Sequence, residues 1–208
     1  MTNDQTHICS YRIGRGVLEG VQEIIGRAGV NAIFNLAHLS HLLPGTGYTK
    51  FEHNLTFTDL SAIQQALEEL YGPRGGRGVA LRSGRVFFKY FIRAFGDQMA
   101  MTSLDFRLLP TQNRVKSGLL SMAGTLSDLC SMNIVVSEDA ETWYWQSDQC
   151  PWCWQRHMDE CMCHFNVGML QEYVTWSGGG KVYHVLETEC IAAGAPACTI
   201  RIEKKPID

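Results

Sequence analysis

Glu187, Cys190 and Cys198 carry the strongest chemical signal in the chain: a glutamate, two residues, a cysteine, seven residues and another cysteine, with Gly194 and Pro196 in the intervening loop. A carboxylate at a strand end, a thiol in the following turn and a thiol opening the next strand can converge across a hairpin. Cys163, on a neighbouring helical segment, adds a third thiol. Zinc accepts this mixture of soft sulfur and carboxylate oxygen in a tetrahedron, with sulfur at about 2.3 Å. A zinc ion at Cys163, Glu187, Cys190 and Cys198 would be structural, with no open position, and its binding would add to folding stability. The alternative is a set of buried free cysteines beside a surface glutamate.

A second group is Cys150-Pro151-Trp152-Cys153, with Cys161 shortly after. Such a pair can act as a redox dithiol if the first thiol is acidified at a helix N-terminus, or as half of a second metal site with Cys161 and His157 or His164. Free thiols in a loop are the third option. A redox motif needs a long helix after it, and Gln155 to Glu160 is short and polar. His38 and His41 have no third donor nearby in sequence, and Arg74, Arg77, Arg82 and Arg85 read as a solvated face that could also meet a carboxylate.

Aromatic residues are dense in the same region. Trp143, Trp145, Phe165, Tyr183 and Val185 are candidate walls of a pocket for a planar, apolar ligand. On alternating strand geometry Tyr183 and Val185 share the face of Glu187, whereas His184 and Leu186 face the other way. An ordinary hydrophobic core is the competing reading for each of them.

These side chains need elements to hold them. Apolar residues at helical spacing predict one helix from Val17 to Ile25 ending near Gly29 and a second from Val30 that stops before Pro44. A third is capped by Thr58 or Asp59 and closed by Gly72 and Pro73, and a glycine-rich loop from Pro73 to Gly78 precedes a fourth over Val79 to Phe95. A fifth covers about Val115 to Cys130. After Met132 the pattern becomes strand-like: Asn133 to Ser137 and Thr142 to Ser147 form a hairpin, with Trp143 and Trp145 on one face and Tyr144 on the other. A sixth helix over Cys163 to Trp176 and strands at Val182 to Thr188 and Ala197 to Ile202 complete an antiparallel four-stranded sheet. The expected architecture is α+β, a single domain over residues 1–208, helical over about 11–131 and carrying the sheet over about 132–204.

The bulk composition agrees with this. With 208 residues, 45% hydrophobic and 19% charged, the chain is long enough for a core without disulfides, and Cys9 and Cys130 stand apart from the other six of its eight cysteines. A net charge of -3 with scattered basic residues argues against nucleic acid. No apolar run is long enough to span a membrane and the first ten residues are polar, so the expected location is the cytosol. There, clustered cysteines favour metal or redox chemistry over disulfides.

The segment from Cys163 to Ile202, with Cys163, Gly168, Glu187, Cys190, Gly194 and Cys198 in order, resembles the C-terminal signature of the 4-vinyl reductase domain family. Gly84, Arg85 and Phe88 resemble a glycine-containing helix of that family. The resemblance implies a fold similar to heme-based nitric-oxide sensors and vesicle-tethering subunits, homodimerisation through N-terminal helices, and a role in holding a small apolar or ring-shaped molecule such as a tetrapyrrole. It implies a carrier, sensor or accessory protein, with a vinyl reductase, a dithiol- or metal-dependent enzyme and an assembly subunit as alternatives. Gly76 to Gly84 lacks the strand-to-helix glycine motif a dinucleotide needs.

Overall fold

The structure, a computed structural model, describes residues 7–43 and 50–207. A short strand β1 (Ile8–Cys9) leads into α1 (Tyr11–Leu36), and β2 (Leu55–Thr56), antiparallel to β1, leads into α2 (Phe57–Phe95). Then follow α3 (Leu104–Leu108), α4 (Thr111–Cys130), β3 (Ile134–Glu138), β4 (Thr142–Ser147), α5 (His164–Ser177), β5 (Tyr183–Glu189) and β6 (Cys198–Pro206). The last four strands form one antiparallel sheet in the order β3-β4-β6-β5. The protein is therefore α+β, with five helices among the described residues where the sequence suggests six.

Two glycines merge four expected helices into two, and the short α3, which the sequence does not suggest, brings the count to five. Gly26 (φ 70°) kinks α1 and Gly72 (φ 73°) kinks α2, each without ending the run of helix. A glycine adopts this left-handed conformation without the Cβ clash that penalises other residues. The kink in α1 thus falls at Gly26 and not near Gly29, while Pro44 lies outside the described residues. In α2 the chain restarts its helix at Pro73, where a missing N–H removes nothing from the ladder. The expected loop from Pro73 to Gly78 is helical. Gly76 is needed there for packing, because a Cβ at this position would sit 2.6 Å from Glu68 Cα. The cap of α2 is Thr56, upstream of the expected Thr58 or Asp59: its side chain accepts from the Asp59 N–H (3.1 Å) and Asp59 accepts from the Thr56 N–H (2.8 Å).

A continuous core runs from Cys9 to Ile202 and joins the helical part to the sheet. Within it α2 crosses α5, with the rings of Phe87 and Phe165 5.3 Å apart. The Tyr173 hydroxyl on α5 donates to the Val115 carbonyl of α4 at 2.6 Å. Cys9 and Cys130, distant in sequence, form a disulfide. The Ser10 N–H donates to the Leu129 carbonyl at 2.7 Å, so β1 lies against the end of α4 and local spacing could not reveal the pair.

Glu138, at the end of β3, is bound by Lys116 of α4 and by Lys204 of β6 (2.8 Å). Hydrogen bonds from Lys116 and then Lys204 lower its pKa to about 2. A carboxyl whose folded value lies below its unfolded value, about 4.3, adds stability above the unfolded value and loses it as pH falls through the folded one. Glu138→Gln should therefore be less stable than the parent above about pH 5, by a small margin that salt reduces, and the gap should close near pH 2. Denaturant melts at the two pH values test this; a gap that does not narrow in acid would contradict it.

Candidate metal centre

Six donors from four places in the chain meet at the edge of the sheet. Cys150 precedes and Cys153 closes a short 3-10 turn, Pro151–Cys153, that follows β4. Cys163 is the N-cap of α5. Glu187 lies on β5, Cys190 follows that strand directly, and Cys198 is the first residue of β6. All six are buried.

The sheet determines why they meet. Ser147 at the end of β4 pairs with Cys198 at the start of β6, which brings the 150–153 turn beside Cys198. Between Glu187 and Glu189 the β5–β6 register shifts in a bulge. Tyr183, Val185 and Glu187 face inward, and Glu189 instead accepts from the Thr199 hydroxyl at 2.7 Å. After Cys190 the chain turns tightly: Ala193 and Ala195 N–H groups donate to the Cys190 carbonyl at 3.0 and 3.1 Å, and Gly194 (φ 90°) takes the left-handed position. The turn aims the Ile191 N–H at Cys198 Sγ, 3.4 Å away. Met158 N–H donates to the Ala192 carbonyl at 2.8 Å and pins the 154–162 loop over the turn.

Among the described residues two sets of four donors are close enough to hold an ion: Cys163, Glu187, Cys190 and Cys198, and Cys150, Cys153, Cys163 and Cys198. In the first, Cys163 and Cys198 sulfurs are 3.8 Å apart, and each is 3.9 Å from Cys190. A tetrahedron of sulfurs about 2.3 Å from zinc has edges of about 3.8 Å, so these three thiols span one face of it. Glu187 Oε2 accepts from the Cys163 N–H at 2.8 Å, and its Oε1 is buried with no hydrogen-bond partner. That leaves a carboxylate oxygen free to coordinate.

The thiols share protons unequally. Cys190 is lowered to about 6, chiefly by hydrogen bonding with Cys153 and then Cys163, and Cys198 is lowered to about 6, chiefly by Cys150. Cys163 is raised well above the usual thiol range by Cys150 and its other sulfur neighbours. Burial, and then the charge on Cys190, push Glu187 up to about 8. Metal ligands bind deprotonated, so a divalent ion must displace protons from this group.

Two groups of cysteines that stand apart in sequence come together in the structure. Cys150 and Cys153 belong with Cys163 and Cys198, and not to a second site with Cys161, which is half-buried and lies outside both sets. The signal was available, since two cysteines separated by two residues is zinc-knuckle spacing. The redox reading of the pair lacks its requirement, for a single 3-10 turn follows Cys150 in place of a long helix, and Cys153 is raised, chiefly by Cys150.

The expected pocket residues do not surround one cavity. Trp145 and Phe165 line an interior space of about 30 Å³ together with Trp152, whose ring stacks on Phe165 at 4.0 Å. Tyr183 and Val185 border a separate surface cleft with Arg85 and Gln171. Trp143 packs under Lys204, whose Nζ is 5.4 Å from the ring. The aromatic density is mostly core.

Solved structures share the fold. An unliganded Fe(II) H-NOX protein mutant from K. algicida has a TM-score of 0.60 at 13% identity, covering 95% of this chain and 98% of that one. An Fe(II) H-NOX protein mutant from S. oneidensis has 0.60 at 12%, covering 96% and 98%. An oxygen-binding H-NOX domain related to soluble guanylate cyclases has 0.57 at 12%, covering 96% and 97%. At such identities the likeness is one of fold. A comparison with curated proteins finds no match.

Residues 86–203, more than half of the chain, match the family described as methanogen output domain 1. This overturns the resemblance to the 4-vinyl reductase domain. Glu187, Cys190 and Cys198 have the spacing of donors gathered by a strand-turn-strand unit, and Cys163 joins them from the start of α5, so the pattern does not discriminate between families. The chain belongs to the methanogen output domain 1 family.

Proposed function

We propose that this chain is a zinc-thiolate regulatory domain, the output module of a signalling protein, in which a metal centre holds the end of the sheet against α5. The observation that carries the reading is the convergence of five buried cysteines with a buried carboxylate whose Oε1 has no partner. Sulfur-rich donors with one oxygen suit zinc, and a closed, buried set suits a structural ion. The family's description as an output domain supports the signalling part.

Solved structures of this fold include H-NOX proteins studied for heme distortion and an oxygen-binding H-NOX domain. The residues of this chain do not fit a heme. The interior space bordered by α1, α2, α5 and the sheet is about 30 Å³, with the stacked Trp152 and Phe165 among its walls. Sites for ring-sized ligands are roughly 300–1,000 Å³, whereas this one has room for a water or two. No histidine lines it among the described residues. A ring-shaped ligand, tetrapyrroles included, is disfavoured on the same ground.

Elemental mass spectrometry of the purified protein and of Cys190→Ser, with an absorption spectrum, tests the proposal. Zinc in the parent, reduced in the variant, with no visible absorption band, is the expected result. Parent protein that stays metal-free after incubation with zinc under reducing conditions would sink it.

A further inference from the structure

We propose that the centre holds two divalent ions, joined through the shared sulfurs of Cys163 and Cys198. The inference rests on the metal reading above and names its stoichiometry and architecture.

The two four-donor sets have Cys163 and Cys198 in common. Cys150 and Cys153 complete one set; Glu187 and Cys190 complete the other. Two tetrahedra that share two vertices share an edge, and a thiolate sulfur has lone pairs enough to bridge two ions. The shared edge, Cys163 to Cys198, is 3.8 Å, the length expected of a zinc-sulfur tetrahedron with bonds of about 2.3 Å. In the set with Glu187, Cys190 stands 3.9 Å from both of these sulfurs. In the four-sulfur set Cys150 is 3.3 Å from Cys163 and Cys153 is 3.4 Å from Cys198, so this half opens by about half an ångström to admit its ion.

A single ion strands donors wherever it binds. In the four-sulfur set it leaves Cys190 and Glu187 buried, with Oε1 of Glu187 still lacking a partner. In the set containing Glu187 it leaves the buried Cys150 and Cys153 against metal-bound sulfurs. Donors left without an ion must either stay protonated, with a buried polar atom such as Glu187 Oε1 unpaired, or carry a charge without a counter-ion, and both are unfavourable. Two divalent ions employ all six donors and offset four of the six negative charges of five thiolates and one carboxylate. The remaining charge meets N–H donors: Ile191 N to Cys198 Sγ at 3.4 Å and Asn166 Nδ2 to Cys150 Sγ at 3.8 Å.

Native mass spectrometry of the intact chain loaded with zinc under reducing conditions, paired with NMR of the cadmium-exchanged protein, decides the matter. The expected result is two ions per chain and two cadmium resonances split by coupling through the shared sulfurs. The double variants Cys150→Ser/Cys153→Ser and Glu187→Gln/Cys190→Ser should each retain one ion. One ion per wild-type chain, or two uncoupled cadmium resonances, would overturn the shared centre while leaving a metal domain intact. No ion at all would remove the underlying reading as well. The wild-type count decides even if either variant fails to fold.

Discussion

Chelation of the metal is expected to lower the melting temperature of this protein by about 10 °C and to loosen residues 150–200 first. A ligand held about 1,000-fold above its dissociation constant stabilises the folded state by about 4 kcal/mol, and for a chain of this size each kcal/mol moves the midpoint by roughly 2–4 °C. The loss should be local at the outset, because the turn at Cys150 to Cys153, the start of α5, the end of β5 and the start of β6 are all tied at the centre. Hydrogen exchange should show faster opening there while α1 and the first half of α2 keep their protection. Cys163→Ser should reproduce the effect without chelator, since Cys163 belongs to both donor sets, and Cys161→Ser should not, since it belongs to neither. An unchanged melting curve on chelation, with metal removal verified, would refute the structural role.

Alanine at either glycine of the α2–α5 crossing should be strongly destabilising, by about 3 kcal/mol or more. A Cβ on Gly84 would lie 2.0 Å from the Phe165 carbonyl oxygen, and a Cβ on Gly168 would lie 1.9 Å from that of Leu81. Each helix presses its backbone into the gap left by the other's missing side chain. Relief requires the helices to part by more than an ångström, which would separate Phe87 from Phe165 and shift Cys163, the N-cap of α5. Helix propensity alone predicts the opposite sign, since alanine is better than glycine within a helix by about 1 kcal/mol. Gly124 in α4 is exposed with nothing within 4 Å of its would-be Cβ, and Gly124→Ala should stabilise by up to about 1 kcal/mol. Chemical denaturation of the three variants separates the effects; equal shifts at all three positions would contradict close packing at the crossing. Zinc content should also fall in Gly168→Ala.

Much of the fold was legible because it is written in local periodicity. The apolar spacing of α5, the alternation along β5 and the hairpin of β3 and β4 place these elements within a residue or two of their expected bounds. Longer-range features were misread where a residue type has two uses. Glycines 75, 76 and 78 look like a loop, but Gly76 is required where the restarted helix meets the backbone of Glu68. The small helix α3 has too few residues to show a period. Its cap, the Ser103 hydroxyl accepting from Phe106 N–H at 3.2 Å, is a signal any polar turn can mimic.

The candidate site divides in the same way. Residue types and strand alternation by themselves picked out Cys163, Glu187, Cys190 and Cys198 as one group of potential donors and put Glu187 on the face of Tyr183 and Val185, because chemistry and period are local properties. Only the tertiary structure decided that Cys150 and Cys153 join them, since that follows from the pairing of Ser147 with Cys198, a register between strands about fifty residues apart. It decided equally that Trp145 and Phe165 border one small interior space with Trp152, apart from Tyr183 and Val185. Stacking between Trp152 and Phe165 depends on how α5 lies over the 150–153 turn, and aromatic content is the same in a packed core and an open pocket.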